Sequence, residues 1–199
     1  MLEPQPVQAL GPRCPRCRFP VHGQISCLCA EIPRIRAPFR LVILRHVSER
    51  ERLSNTGQWA ALAVEGALVV DHGFPGPPTD ASAVASEGAA LLFPGPHAAP
   101  PPWPSPRVLV VPDGTWTQAR RMIQRLPALR TLPRLALPAP PPGLRLRRPV
   151  VVGGMSTLEA VAGALAAAGA PEDARSLLAL HAAGVERVLR LKGTWTEAA

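Results

Sequence analysis

Runs of β-rich apolar residues alternate with stretches of helical periodicity along this 199-residue chain. That alternation predicts an α/β fold, a mostly parallel sheet with helices on both faces. One stretch supports it most directly. Val108-Leu109-Val110-Val111 runs unbroken into Pro112-Asp113-Gly114-Thr115, after which Trp116, Ala119, Ile123 and Leu126 fall on one helical face. A buried strand turning sharply into a helix is where open α/β sheets place ligands. Hydrophobic residues make up 47% and charged residues 18%, enough apolar side chain for one domain with a real core.

Taken in order, the elements are these. Arg40–His46 reads as a first buried strand. A helix over 58–67 follows, capped by Ser54, Asn55 or Thr56. Leu68–His72 is a second strand, and residues 73–80 form a Pro/Gly loop. A turn or short helix from Ser86 precedes a third strand, Ala89–Phe93, stopped by Pro94. Residues 95–106 read as a proline-rich surface loop. The 108–126 strand and helix come next, with Thr115 able to cap the helix. A short strand at Leu135–Leu137 and an apolar run at Pro149–Val152 follow. Ser156-Thr157-Leu158-Glu159 is a capping-box sequence opening a helix to Ala168, and an amphipathic helix spans 172–191.

The formal charge of +8 points to an anionic partner, with nucleic acid foremost. Its distribution says more than its total. Residues 107–148 hold Arg107, Arg120, Arg121, Arg125, Arg130, Arg134, Arg145, Arg147 and Arg148 against the lone acid Asp113, whereas residues 53–106 hold no Arg or Lys. GC-rich coding explains Arg in place of Lys but not this clustering. The N-terminus lacks a signal-peptide pattern and no stretch is long enough to span a membrane, which predicts a cytoplasmic protein. In that reducing setting Cys14-x2-Cys17 and Cys27-x-Cys29 read as a structural four-thiolate zinc site, with Arg13, Arg16 and Arg18 favouring the thiolates. His22 is a spare candidate ligand or an ordinary loop histidine.

Three strand ends are candidates for chemistry: His46 onward, Phe93-Pro94 and Asp113. Asp113 could serve as a general base, orient a substrate amide, or simply cap a turn. Trp116 could stack on a base or belong to the core. Asn55 and Thr56 are open between a helix cap and an RNA contact. The Gly-Gly-x-Ser-Thr-x-Glu helix start could hold an anion or be a plain cap. Neither a nucleophile motif nor a Walker or Gly-x-Gly-x-x-Gly pattern occurs, which argues against covalent catalysis and P-loop chemistry.

Asp113-Gly114-Thr115-Trp116-x-Gln118-Ala119-Arg120 resembles the signature of the DTW-domain family. Cys14-x2-Cys17…Cys27-x-Cys29, His46…Glu49…Ser54-Asn55-Thr56-Gly57, Leu92-Phe93-Pro94, Leu144–Arg148 and Ser156-Thr157-x-Glu159-Ala160 follow that family's order over residues 13–190. The resemblance implies a knotted, SPOUT-like fold over residues 36–192, a tail and zinc-binding appendage over 1–35, and a C-terminal tail over 193–199. It implies a tRNA-uridine aminocarboxypropyltransferase that uses S-adenosylmethionine and modifies N3 of the uridine. On that implication Asp113, Thr115 and Trp116 are catalytic. Leu92, Phe93, Pro94, Asp113, Gly114, Ser156, Thr157 and Glu159 hold the cofactor, its carboxylate at the Ser156-Thr157 helix start or on an Arg of 145–148. Asn55, Thr56, Arg120, Arg121, Arg125, Arg145, Arg147 and Arg148 hold tRNA, and the four cysteines hold zinc. A non-catalytic zinc-dependent RNA-binding protein and an RNA methyltransferase of related fold are the alternatives.

Overall fold

The central strands of the sheet bury apolar side chains on both faces. Leu41 and Ile43 face one side with Leu109 and Val111, while Val42 and Leu44 face the other with Val108 and Val110. Strands buried on both faces read as continuous apolar runs, which is why the sequence shows no polar alternation there. The computed structural model describes residues 12–21, 27–76, 79–103, 105–140, 145–146 and 153–192.

In chain order the elements are β1 (Arg40–His46), α1 (Thr56–Ala63), β2 (Leu68–His72), α2 (Ala81–Val84), β3 (Ala89–Leu92), β4 (Val108–Asp113), α3 (Trp116–Arg125), α4 (Pro127–Arg130), β5 (Arg134–Leu135), α5 (Thr157–Ala167) and α6 (Pro171–Leu191). The sheet is five-stranded in the order β2-β1-β4-β3-β5, and every pairing is parallel. Helices α1, α5 and α6 cover one face; α2, α3 and α4 cover the other. The mostly parallel sheet with helices on both faces is therefore present as expected. The chain between β5 and α5 includes 141–144 and 147–152, so the expected knot and the apolar run at 149–152 lie outside the described residues.

Strands β1 and β4 lie side by side, with Arg45 in register with Asp113. The chain leaves β1 toward α1 on one face and leaves β4 toward α3 on the other. That reversal opens a crevice at the strands' carboxyl ends. Asp113 stands in it.

Three local expectations need correction. Helix α1 stops at Ala63 instead of Ala67, because Val64 turns extended to bridge Ile35 and Gly66 takes a φ of 70°. A turn from Ser86 precedes β3 as expected, with Ala89 N–H donating to Ser86 O at 3.1 Å, and a further short helix lies ahead of it at Ala81–Val84, where Asp80 accepts from the Ser82 backbone N–H (2.9 Å) and hydroxyl (2.6 Å). Residues 95–106 are more than surface: Ala99 bridges Leu135 at the sheet edge and Trp103 is buried. The short strand near 135 is Arg134–Leu135, and Leu137 lies beyond it. The capping boxes at Thr115–Gln118 and Ser156–Glu159 form as the sequence predicts.

The cysteine segment packs on the same core. Cys17, Phe19, Leu28 and Ile35 are buried against α1, and the Phe19 ring meets Trp59 with centroids 6.1 Å apart. Trp59 in turn presses on α6, where a Cβ on Gly184 would come within 2.4 Å of the indole. A buried indole has no room to retreat. Gly184→Ala gains about 1 kcal/mol of helix propensity but overpacks this contact, which costs roughly 1–3 kcal/mol or more. A net fall in thermal midpoint is expected in calorimetry, and Trp59→Phe in the same chain should restore part of it.

Candidate active site

A cavity of about 530 Å³ opens on the α5 side of the crevice. Its walls come from the ends of β3 and β4, the loop after β1, the first turn of α5, and one residue of α6, His181. The sequence-predicted residues Leu92, Phe93, Pro94, Asp113, Gly114, Thr115, Trp116, Ser156, Thr157 and Glu159 all line it, as do Thr56 and Arg145. Residues scattered over a hundred positions thus share one space.

Asp113 is the most constrained of them. It is 4% exposed, its Oδ1 accepts the Thr157 hydroxyl at 2.6 Å, and its Oδ2 has no hydrogen-bond partner. A Cβ on Gly57 would lie 2.4 Å from Oδ2, so the first turn of α1 can approach the carboxylate only as glycine. Burial pushes the Asp113 carboxyl up to about 6; the Thr157 hydrogen bond opposes this, nearby Glu49 adds to it, and Arg45 and Arg52 oppose it. Such a carboxyl sits near neutrality, where a general base works best.

Thr115 caps α3: its Oγ1 accepts from Gln118 N at 3.3 Å while its own N–H donates to Gln118 Oε1 at 2.8 Å. Gln118 Nε2 then donates to Ser48 Oγ at 3.0 Å, and that hydroxyl pairs with His46 Nδ1 at 2.8 Å. This chain fixes the start of α3 against the end of β1. Trp116 is not core. It is half-buried at the cavity wall and stacks on Phe93, with centroids 4.7 Å apart and planes 26° off parallel. The buried face of α3 uses Ala119, Met122 and Ile123 instead.

Asn55 resolves to a cap, since its Oδ1 accepts from Gln58 N at 2.9 Å and its Nδ2 donates to Glu49 O at 2.8 Å; the Thr56 beside it is buried in the cavity wall. Arg145 faces the cavity rather than open solvent, donating to Gly154 O at 2.7 Å and pairing with Glu159 at 3.5 Å. Arg147 and Arg148 lie outside the described residues. Arg120, Arg121 and Arg125 are exposed on α3 and, among the described residues, have no carboxylate partner. The first two also line a small groove of about 210 Å³ that begins at Trp116.

Two cavity residues escaped sequence reasoning. His181 is 7% exposed, and its Nε2 lies 3.2 Å from Ser156 Oγ; burial holds its imidazole below the usual histidine range, with Glu159 opposing and Arg145 adding. A polar residue between Leu180 and Gly184 on the buried face of an amphipathic helix was the available signal. Glu49, 6% exposed, was visible only as a position within the resemblance.

The four cysteine sulfurs lie within 4.8 Å of one another, Cys14 and Cys29 at 3.5 Å, and could hold a metal ion. Tetrahedral zinc–thiolate bonds of about 2.3 Å place sulfurs roughly 3.8 Å apart, so the set fits. The Cys17 backbone N–H draws the Cys14 thiol down to about 6, whereas burial and the surrounding thiols push Cys29 up to about 12. Arg13 and Arg18 do not serve the thiolates as expected. Both bind Glu51, tying this segment to the loop after β1. His22 lies outside the described residues.

Residues 11–189 match the family model described as DTW domain. The chain belongs to the DTW domain family. It is also similar to tRNA-uridine aminocarboxypropyltransferase 2 of Drosophila melanogaster, 31% identical over 169 residues that cover 77% of this chain. The matched segment spans 65% of that relative's length. No solved structure matches. Among the described residues no helix of this DTW domain is long and apolar enough to cross a membrane.

The buried acid has a measurable signature. Unfolded, Asp113 titrates near 3.8; folded, near 6. Its charge therefore costs the fold nothing below pH 4 and increasingly more as pH rises through 6. Asp113→Asn keeps an acceptor for Thr157 and removes that cost. Thermal melts should show the variant stabilised at pH 7.5, by at most about 3 kcal/mol, with the gain vanishing at pH 4.

Proposed function

We propose that this protein is a tRNA-modifying transferase that moves the 3-amino-3-carboxypropyl group of S-adenosylmethionine to N3 of a uridine, releasing methylthioadenosine. The observation that carries this reading is the buried, elevated Asp113 carboxyl of the DTW signature, set in a cavity with an aromatic wall and a helix N-terminus. The named activity of the Drosophila relative supports the reaction class.

The cavity fits the co-substrate in kind. Phe93 and Trp116 offer flat apolar surface for a purine or a uracil. At the start of α5 the capping box uses the N–H groups of Ser156 and Glu159, leaving those of Thr157 and Leu158 for a carboxylate, with Arg145 nearby. When bound, S-adenosylmethionine supplies an activated methylene carbon as electrophile. The chain's own task is then to position that carbon and to accept one proton from the uracil imide. Thr157 Oγ1 donates to Asp113 Oδ1, so the hydroxyl can accept the imide proton while passing its own to the carboxylate. With a carboxyl near 6, Asp113 is mostly ionised at pH 7 and can take it.

Outside the cavity, Arg120, Arg121 and Arg125 form a basic ridge leading away from Trp116 and would hold tRNA phosphates. Zinc in the four-cysteine site would be structural, since all four positions are thiols and none is left open.

Four outcomes test this. Incubation with unmodified tRNA and S-adenosylmethionine should release methylthioadenosine and add an aminocarboxypropyl mass to uridine; a methyl mass would mean a methyltransferase, and no product a binding protein. Thr157→Val should lower the single-turnover rate about a hundredfold, while Thr157→Ser retains most of it. Replacing Arg120, Arg121 and Arg125 with Gln should weaken tRNA binding and flatten its salt dependence, by close to one unit of log–log slope per arginine that contacts a phosphate. Elemental analysis of the purified protein should find one zinc per chain; none would leave the cysteines as plain thiols.

A further inference from the structure

Two buried carboxylates, Glu49 and Asp113, line one part of the cavity wall, while a third acid, Glu159, pairs with Arg145 elsewhere in it. Asp113 Oδ2 and Glu49 Oε1 are both shielded from solvent, and neither receives a hydrogen bond. They are close enough for the Glu49 charge to push the Asp113 carboxyl upward. Glu49 is not without help: Arg52 Nε lies 3.0 Å from Oε1, but out of line for a hydrogen bond. A buried carboxylate oxygen lacking a donor is costly, and such oxygens rarely persist unless a ligand supplies the donor.

The rest of the cavity has the opposite character. The start of α5 and Arg145 present N–H donors and positive potential. One cavity therefore carries donor-hungry carboxylates on one wall and donors on another, with aromatic rings between its ends. A ligand that satisfies both must be a zwitterion attached to something flat. An α-amino acid joined to a nucleoside has that chemistry.

We propose that the Glu49 carboxylate is the recognition site for the α-ammonium group of the nucleoside–amino-acid co-substrate. The inference rests on the transferase reading above and adds a residue with a specific role to it. An ammonium N–H donates to a carboxylate oxygen, and its charge adds to that of Arg52 beside Glu49. Holding the ammonium here while the α-carboxylate is held at α5 fixes the orientation of the carbon chain between them. Glu49 is thus a positioning residue for the transfer.

The test is calorimetric and needs no turnover. S-Adenosylhomocysteine keeps the ammonium and lacks the sulfonium charge; its desamino analogue lacks the ammonium; methylthioadenosine lacks the whole amino-acid end. The wild-type protein should bind S-adenosylhomocysteine about ten- to a hundredfold more tightly than the desamino analogue. Glu49→Gln should abolish that preference and leave methylthioadenosine affinity unchanged. Arg52→Gln should preserve the preference, because the ion pair is not the recognising contact. Equal wild-type affinity for the thioether and its desamino analogue overturns the proposal even if the variant fails to fold. So does a Glu49→Gln variant that retains the preference, or an Arg52→Gln variant that loses it. Binding of S-adenosylmethionine but not S-adenosylhomocysteine to the wild type would shift recognition to the sulfonium and also overturn it. If the wild type binds none of these nucleosides, the transferase reading itself falls, and this assignment with it.

Discussion

The 2.6 Å hydrogen bond from Thr157 to Asp113 joins the end of β4 to the first turn of α5, across 44 residues of sequence. Much of the cavity follows from it. Held there, α5 presents its N-terminus to the strand ends, and its apolar face (Leu158, Val161, Ala162 and Leu165) closes over the sheet. On the other side of the same carboxylate, Gly57 lets α1 approach to near contact. Two helices and two strands thus converge on a single acid. The burial that makes Asp113 expensive is what raises its affinity for a proton.

Charge is divided between architecture and surface. Arg45, Arg50 and Asp71 form a compact network beneath the loop after β1, with Arg45 also donating to Gln58 at 3.0 Å. Arg187 reaches Cys27 O and Glu31, holding the cysteine segment to α6. These arginines hold the loops that frame the cavity. The α3 arginines have no such task in the described residues, and they lie beside the cavity mouth. A basic composition alone would not separate the two groups; the presence or absence of a carboxylate neighbour does.

The strand–turn–helix at Asp113 was legible because one local pattern carried it: an apolar run, a proline, an acid, then helical spacing. The capping boxes were legible for the same reason, since both partners lie within four residues. What sequence reasoning missed is non-local. The end of α1 depends on Val64 bridging Ile35, and the burial of Trp103 on a sheet edge formed by Ala99 and Leu135. Trp116 fits a helical stripe as well as any core residue, yet Phe93, brought in from β3, draws it to the cavity wall instead. His181 reads as one polar residue on a long helix until α6 packs on α5 and brings it to Ser156. Arg145 reads in sequence as either a phosphate contact or a partner for the cofactor carboxylate, and only the packing of α5 shows Glu159 and Gly154 O holding it at the cavity.

The Phe93–Trp116 stack has an optical consequence. Of the tryptophans in the described residues, Trp59 and Trp103 are shielded in the core, and only Trp116 meets both solvent and the cavity. Indole emission depends on the polarity of its surroundings and is quenched by a stacked heterocycle. Among the described tryptophans, the near-ultraviolet fluorescence that responds to a ligand therefore comes from Trp116, at the mouth of the cavity. Trp116 is thus a built-in reporter of the cavity, set apart from the two core indoles of the described residues.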